Sequence, residues 1–164
     1  MISVITLMGV SGCGKTTVAR ALADELGWQF LESDVYHSEA DIQKMSSGTP
    51  LTDEDRLPWL QSLNHALRSN LKEGKRTVLA CSALKEKYRE ILYTSISSGV
   101  YVFLKGDFGL IWKRMQRREH FMRPEMLQSQ FDDLEEPSDA LTLGIELPVP
   151  EIVRRIRDAF SLED

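Results

Sequence analysis

Short apolar runs alternate with amphipathic stretches along most of this chain. The runs ISVITLM (2–8), WQFLES (28–33), RTVLAC (76–81), VYVFLK (100–105) and ALTLGIE (140–146) are rich in β-formers. Most are apolar at odd and even positions alike, the pattern of strands covered on both faces of a parallel sheet. Between them the period changes to that of helices. One is expected over 15–26, stopped by Gly27. A second begins near Thr52, carries Leu60, Leu63, Leu67 and Leu71 on one side and stops at Gly74, with Pro58 expected in its first regular turn. A third is expected over 84–94, capped by Ser82, and a last one from Pro150, burying Ile152, Val153, Ile156 and Phe160. Strands and helices in strict alternation predict a doubly wound α/β fold with a five-stranded parallel sheet.

One segment breaks the rhythm. From 107 to 137 the chain stays helical and polar, and HFMRP suggests two helices joined at 121–124. That is more chain than a crossover needs, so a helical lid is expected there. No linker or repeat divides the 164 residues, which suit one domain with a single sizeable core.

The stretch GVSGCGKTT (9–17) lies between the first apolar run and the first helix. Gly9, Gly14, Lys15 and Thr16 match G-x-x-x-x-G-K-[ST] in the correct strand–loop–helix context. The backbone of Gly9, Val10, Ser11, Gly12, Cys13, Gly14, Lys15, Thr16 and Thr17 is thereby assigned to nucleotide phosphates. Glycines let several N–H groups converge on one anion, and the helix N-terminus adds its positive dipole end. Lys15 neutralises β- and γ-oxygens, and the Thr16 hydroxyl is placed to ligate Mg²⁺.

The acceptor's ligands should sit at the C-terminal ends of neighbouring strands. After the second strand, Asp34 is placed to take a proton from an alcohol or to position Mg²⁺ through water; a helix N-cap is the alternative. His37 reads equally as a pocket residue or an exposed loop histidine. After the third strand, Lys85 and Arg89 stand four apart, either as an anion clamp or as a solvated face. His65 reads as surface.

Charge narrows the partners. The net charge is −5, with hydrophobic residues at 42% and charged residues at 27%. That argues against nucleic acid, while one polyphosphate could neutralise the short cluster Lys113, Arg114, Arg117 and Arg118. No apolar run approaches the roughly 20 residues needed to span a bilayer. Two cysteines without metal-ligand spacing, and an N-terminus lacking a signal-peptide pattern, make free thiols and a cytoplasmic location the expectation.

The segments LMGVSGCGKTTVA, SDVYH, KMSSGTPLTDEDRLPWL, CSALKEKYR, VFLKGD, HFMRPEMLQSQFDDLEEP and PEIVRRI follow in this order. Together they resemble the gluconokinase family of P-loop carbohydrate kinases from about Val4 to Ile156. The resemblance implies a fold similar to adenylate and shikimate kinases, and transfer of the ATP γ-phosphoryl group to the 6-hydroxyl of D-gluconate with Mg²⁺. It also implies a homodimer. It makes Asp34 the base or hydroxyl anchor, places His37 in the sugar-acid pocket, and makes Arg56 the ligand of the gluconate carboxylate. Ser82, Lys85 and Arg89 complete the acceptor side, and His120 and Gln130 close over it. Arg114, Arg117 and Arg118 fall where related kinases place nucleotide and transition-state arginines, Arg118 being assigned to catalysis. After His37 the chain reads SEAD where the family usually carries PxxN, which bears on local loop shape. The competing functions are a kinase for another small hydroxy acid, such as shikimate, and a non-catalytic nucleotide switch.

Overall fold

The computed structural model describes residues 1–117 and 124–163. Five parallel strands form one sheet: β1 (Val4–Met8), β2 (Gln29–Glu32), β3 (Thr77–Ala80), β4 (Gly99–Lys105) and β5 (Leu141–Gly144), in the order β2-β3-β1-β4-β5. β1 and β3 are buried at every position, as expected of central strands sandwiched between helices. The register sets Val4 beside Thr77 on one side and beside Gly99 on the other.

Alternate side chains of β1 feed two cores. Ile5 and Leu7 pack with Val18, Leu22, Ile152 and Ile156, from α1 (Lys15–Leu26) and α7 (Val149–Phe160). Val4 and Met8 pack on the opposite face with Leu60, Leu63, Leu67 and Tyr88, from α3 (Asp53–Lys72) and α4 (Glu86–Leu92). Each face removes large aliphatic side chains from water, the dominant stabilising effect of such a fold.

Three local features depart from expectation. A short 3₁₀ turn (Ser33–Tyr36) and α2 (Glu39–Ser46) follow β2. α2 buries none of its residues, so no apolar stripe announces it. Its start is chemical: Ser38 accepts a hydrogen bond from the Asp41 N–H, which is what SEAD encodes. Pro58 lies inside α3 rather than in its first turn, because the helix already begins at Asp53 through a capping box between Thr52 and Asp55. Ser82 does not cap α4. That helix starts at Glu86, whose N–H is accepted by the Glu135 carboxylate.

The 107–137 segment contains α5 (Phe108–Gln116) and α6 (Pro124–Asp133). α6 buries Met126 and Leu127, and its Phe131 ring meets Phe108 of α5 at 5.7 Å between centroids. Arg118, His120 and residues 121–123 of the helix junction expected at 121–124 lie outside the described residues, and Pro124 opens α6.

Candidate active site

The phosphate loop leaves β1 after the fully buried Met8 and is packed tightly from both sides. A Cβ on Gly9 would come 2.8 Å from the Leu104 carbonyl oxygen, and one on Gly12 would come 2.7 Å from Met115. Both residues hold positive φ, 145° and 81°, so glycine is required there by conformation and by space. The Lys15 ammonium donates to the carbonyls of Gly9 and Val10, each at 3.0 Å, and so lies across the mouth of the loop. Cys13 is buried with a free thiol, while Thr17 is exposed on the first turn of α1.

The Thr16 hydroxyl donates to the carboxylate of Glu32, the last residue of β2. The sequence reading missed Glu32. Its signal was its position at the loop-facing end of a strand, two residues before Asp34. A hydroxyl and a carboxylate are hard oxygen donors suited to Mg²⁺, which keeps much of its water and takes few protein ligands. Thr16 and Glu32 are therefore the residues that could hold the ion.

Asp34 is exposed within the 3₁₀ turn rather than capping a helix, and its carbonyl accepts the His37 N–H. His37 stacks on Trp59, with ring centroids 4.3 Å apart and planes 15° from parallel. Trp59 is itself core, and its indole N–H donates to the Ser33 carbonyl at 2.8 Å. Burial lowers the His37 pKa below 6.5; Asp34 and Asp41 oppose that shift, and Arg56 adds to it. Its Nδ1 is buried without a hydrogen-bond partner among the described residues, 3.9 Å from the Asp41 carboxylate. A buried polar atom in that condition is uncommon in a folded protein.

Arg56 and Lys85 come together across α3 and the start of α4. Arg56 Nη1 donates to the Tyr88 hydroxyl at 2.7 Å and to Asp133 at 3.1 Å. Lys85 pairs with Asp53 at 3.1 Å and lies 3.9 Å from Asp133. The Tyr88 hydroxyl and Lys87 also donate to Asp53. Hydrogen bonds from Lys87, Tyr88 and Lys85 hold the Asp53 carboxyl well below the usual carboxylate range. Burial alone would weaken the Arg56 charge, but Tyr88 and Asp133 outweigh it and the guanidinium is held above its ordinary value.

The remaining candidates divide. The Ser82 carbonyl accepts the Gly9 N–H at 3.2 Å, joining the acceptor-side turn to the phosphate loop. Beside it Ala83 is fully buried at φ 44°, a left-handed conformation costly for alanine. Arg89 is buried, and its guanidinium holds the carbonyls of Ala83, Leu84 and Glu135 at 2.7–3.2 Å. Those bonds tie together the turn that carries Lys85. Gln130 reaches the phosphate loop: its Oε1 accepts the Ser11 N–H at 2.7 Å and its Nε2 donates to the Ser11 hydroxyl at 2.9 Å. Arg114 donates to the Ile145 carbonyl at 2.7 Å, and Arg117 is exposed just beyond α5. His65 is exposed, as expected. Cys81, at the end of β3, lies in the fields of both Lys15 and Asp34, and burial pushes its thiol pKa up to about 12. The phosphate loop, Asp34 and the Arg56–Lys85 pair thus occupy the same end of the sheet.

A model of the AAA domain matches residues 4–136. A probable gluconokinase of Rattus norvegicus is 43% identical over 180 residues, covering 96% of this chain and 97% of that protein. The chain belongs to the gluconokinase family. The crystal structure of a gluconokinase from Sinorhizobium meliloti 1021 superposes with a TM-score of 0.85 at 37% identity, over 97% of this chain and 95% of the other. A shikimate kinase from Bacteroides thetaiotaomicron shares the fold alone, with a TM-score of 0.70 at 16% identity over 99% of this chain and all of its own. No helix among the described residues is long and apolar enough to cross a membrane.

Proposed function

We propose that this gluconokinase-family chain transfers the γ-phosphoryl group of ATP to the 6-hydroxyl of D-gluconate, giving 6-phosphogluconate and ADP. The observation that carries this function is the juxtaposition of two separate cationic sites, Lys15 in the phosphate loop and Arg56 with Lys85. One suits a polyphosphate; the other suits the carboxylate of an open-chain sugar acid, which a guanidinium grips through paired hydrogen bonds. Asp34 accepts the hydroxyl proton. O6 forms its bond to the γ-phosphorus as the bond to the β–γ bridging oxygen breaks, and ADP leaves. Lys15 and Arg118 offset the charge on the transferring group, and Arg114 and Arg117 serve the nucleotide. His37 and Ser82 line the acceptor side with His120, and the buried Nδ1 of His37 bonds a sugar hydroxyl. Arg89 and Gln130 serve the site indirectly, through the Lys85 turn and the phosphate loop.

Mg²⁺ bound at Thr16 and Glu32 would supply charge neutralisation on the phosphate oxygens. In-line positioning and neutralised charge supply most of the rate in phosphoryl transfer. The 107–137 segment acts as the lid, excluding water from the γ-phosphate until both substrates are in place. The chain works in the cytoplasm as a homodimer; two free buried thiols are in keeping with a reducing compartment.

An acceptor panel in a coupled ADP assay, with and without Mg²⁺, tests this function. Gluconate should be phosphorylated and activity should require the metal. Turnover of shikimate but not gluconate would overturn the substrate. Slow ATP hydrolysis indifferent to any acceptor would instead mark a nucleotide switch. Sedimentation of the purified chain tests the dimer.

A further inference from the structure

Asp133 ends α6, and its carboxylate bridges the two cations assigned above to the acceptor. Oδ2 accepts from Arg56 at 3.1 Å and Oδ1 lies 3.9 Å from Lys85. One carboxylate between a guanidinium and an ammonium is the arrangement a carboxylate substrate would itself make. The placement is also fixed from both directions. One turn earlier Gln130 holds Ser11 through two hydrogen bonds. Two residues later the Glu135 N–H donates to the Leu84 carbonyl at 2.8 Å, and its own carbonyl accepts from Arg89 at 3.0 Å. The Arg56 side chain is only 12% exposed, so the pair is more than a solvated surface contact. Nor is Asp133 needed to aim the cations: the Tyr88 hydroxyl already accepts from Arg56, and Asp53 already holds Lys85.

We propose that Asp133 is an internal stand-in for the acceptor's carboxylate, occupying the Arg56–Lys85 site until the substrate replaces it and thereby setting acceptor affinity. The exchange of one carboxylate for another keeps the charge balanced. Its cost falls equally on every anion, so acids without enough hydroxyl contacts to offset it are left with negligible occupancy. This rests on assigning the gluconate carboxylate to Arg56 and Lys85.

Calorimetric titration of gluconate, with a non-hydrolysable ATP analogue and Mg²⁺ present, tests it in the full chain. Asp133→Ala and Asp133→Asn should each tighten gluconate about threefold to tenfold, with KM falling and kcat little changed. Their affinity should also depend more steeply on salt, because an anion then enters a site whose cations have lost one counter-charge. Acetate should not compete measurably on the wild type and should become a measurable competitor in the variants. Gluconate affinity that weakens or stays unchanged in both variants would overturn the proposal. Arg56→Ala separates the two layers. If it leaves gluconate binding unchanged, the acceptor assignment fails and this proposal with it. If it weakens binding while Asp133→Ala fails to tighten it, the stand-in role alone falls.

Discussion

The two halves of the site are built by different means. The phosphate loop is local: its groups lie within nine consecutive residues of the P-loop motif, and it depends on backbone geometry that two glycines permit. The acceptor side is assembled from side chains far apart in sequence, with Arg56 and Asp133 separated by 77 positions. A local, backbone-built site tolerates side-chain change except at its charged and glycine positions. A distributed ionic network can be retuned residue by residue, although Ser82 and Gln130 tie this half to Gly9 and Ser11 of the phosphate loop.

Substitutions can break that division or sharpen it. Lys15→Ala should have the largest effect, lowering kcat by about a thousandfold or more while the fold, followed by circular dichroism, persists. Arg56→Ala should instead raise the KM for gluconate about tenfold to a hundredfold, with the KM for ATP nearly unchanged. A matched rise in both constants would dissolve the distinction between the halves. Gly12→Ala should cost about 1–3 kcal/mol in denaturant unfolding, since its Cβ would press on Met115 and its φ is positive.

The smallest effect is acid sensitivity at the start of α3. Both Asp53 and Asp55 have folded-state pKa values below their ordinary 3.8, Asp55 at about 2 through Lys44 and the Thr52 backbone. Depressed carboxyl pKa values contribute stability that is fully present above the unfolded value and lost as pH falls towards the folded one. Melting temperature should therefore drop modestly between pH 5 and pH 2, and Asp55→Asn should flatten part of that slope.

The sequence made the sheet legible because its strands are apolar on both faces, a signal that needs no knowledge of partners. The phosphate loop was legible because its chemistry is contiguous. Family resemblance, rather than spacing, singled out Arg56. What stayed hidden has physical reasons. α2 packs no apolar face, so periodicity could not reveal it. Glu32 looked like an ordinary strand residue until Thr16 was seen beside it. Tyr88, Asp53 and Asp133 matter only through each other, and no local pattern encodes a meeting of three distant segments. Arg89, expected on the acceptor side, directs its Nη1 and Nη2 donors to main-chain carbonyls, an arrangement that no spacing in the sequence announces.

The stacked His37–Trp59 pair also gives the acceptor side its own optical reporter. An imidazolium against an indole quenches its emission, and a neutral imidazole does so far less. Because burial favours the neutral ring, Trp59 should stay bright at neutral pH and dim in acid. With Trp28 and Trp112 replaced by phenylalanine, protonation of His37 could be followed by light alone.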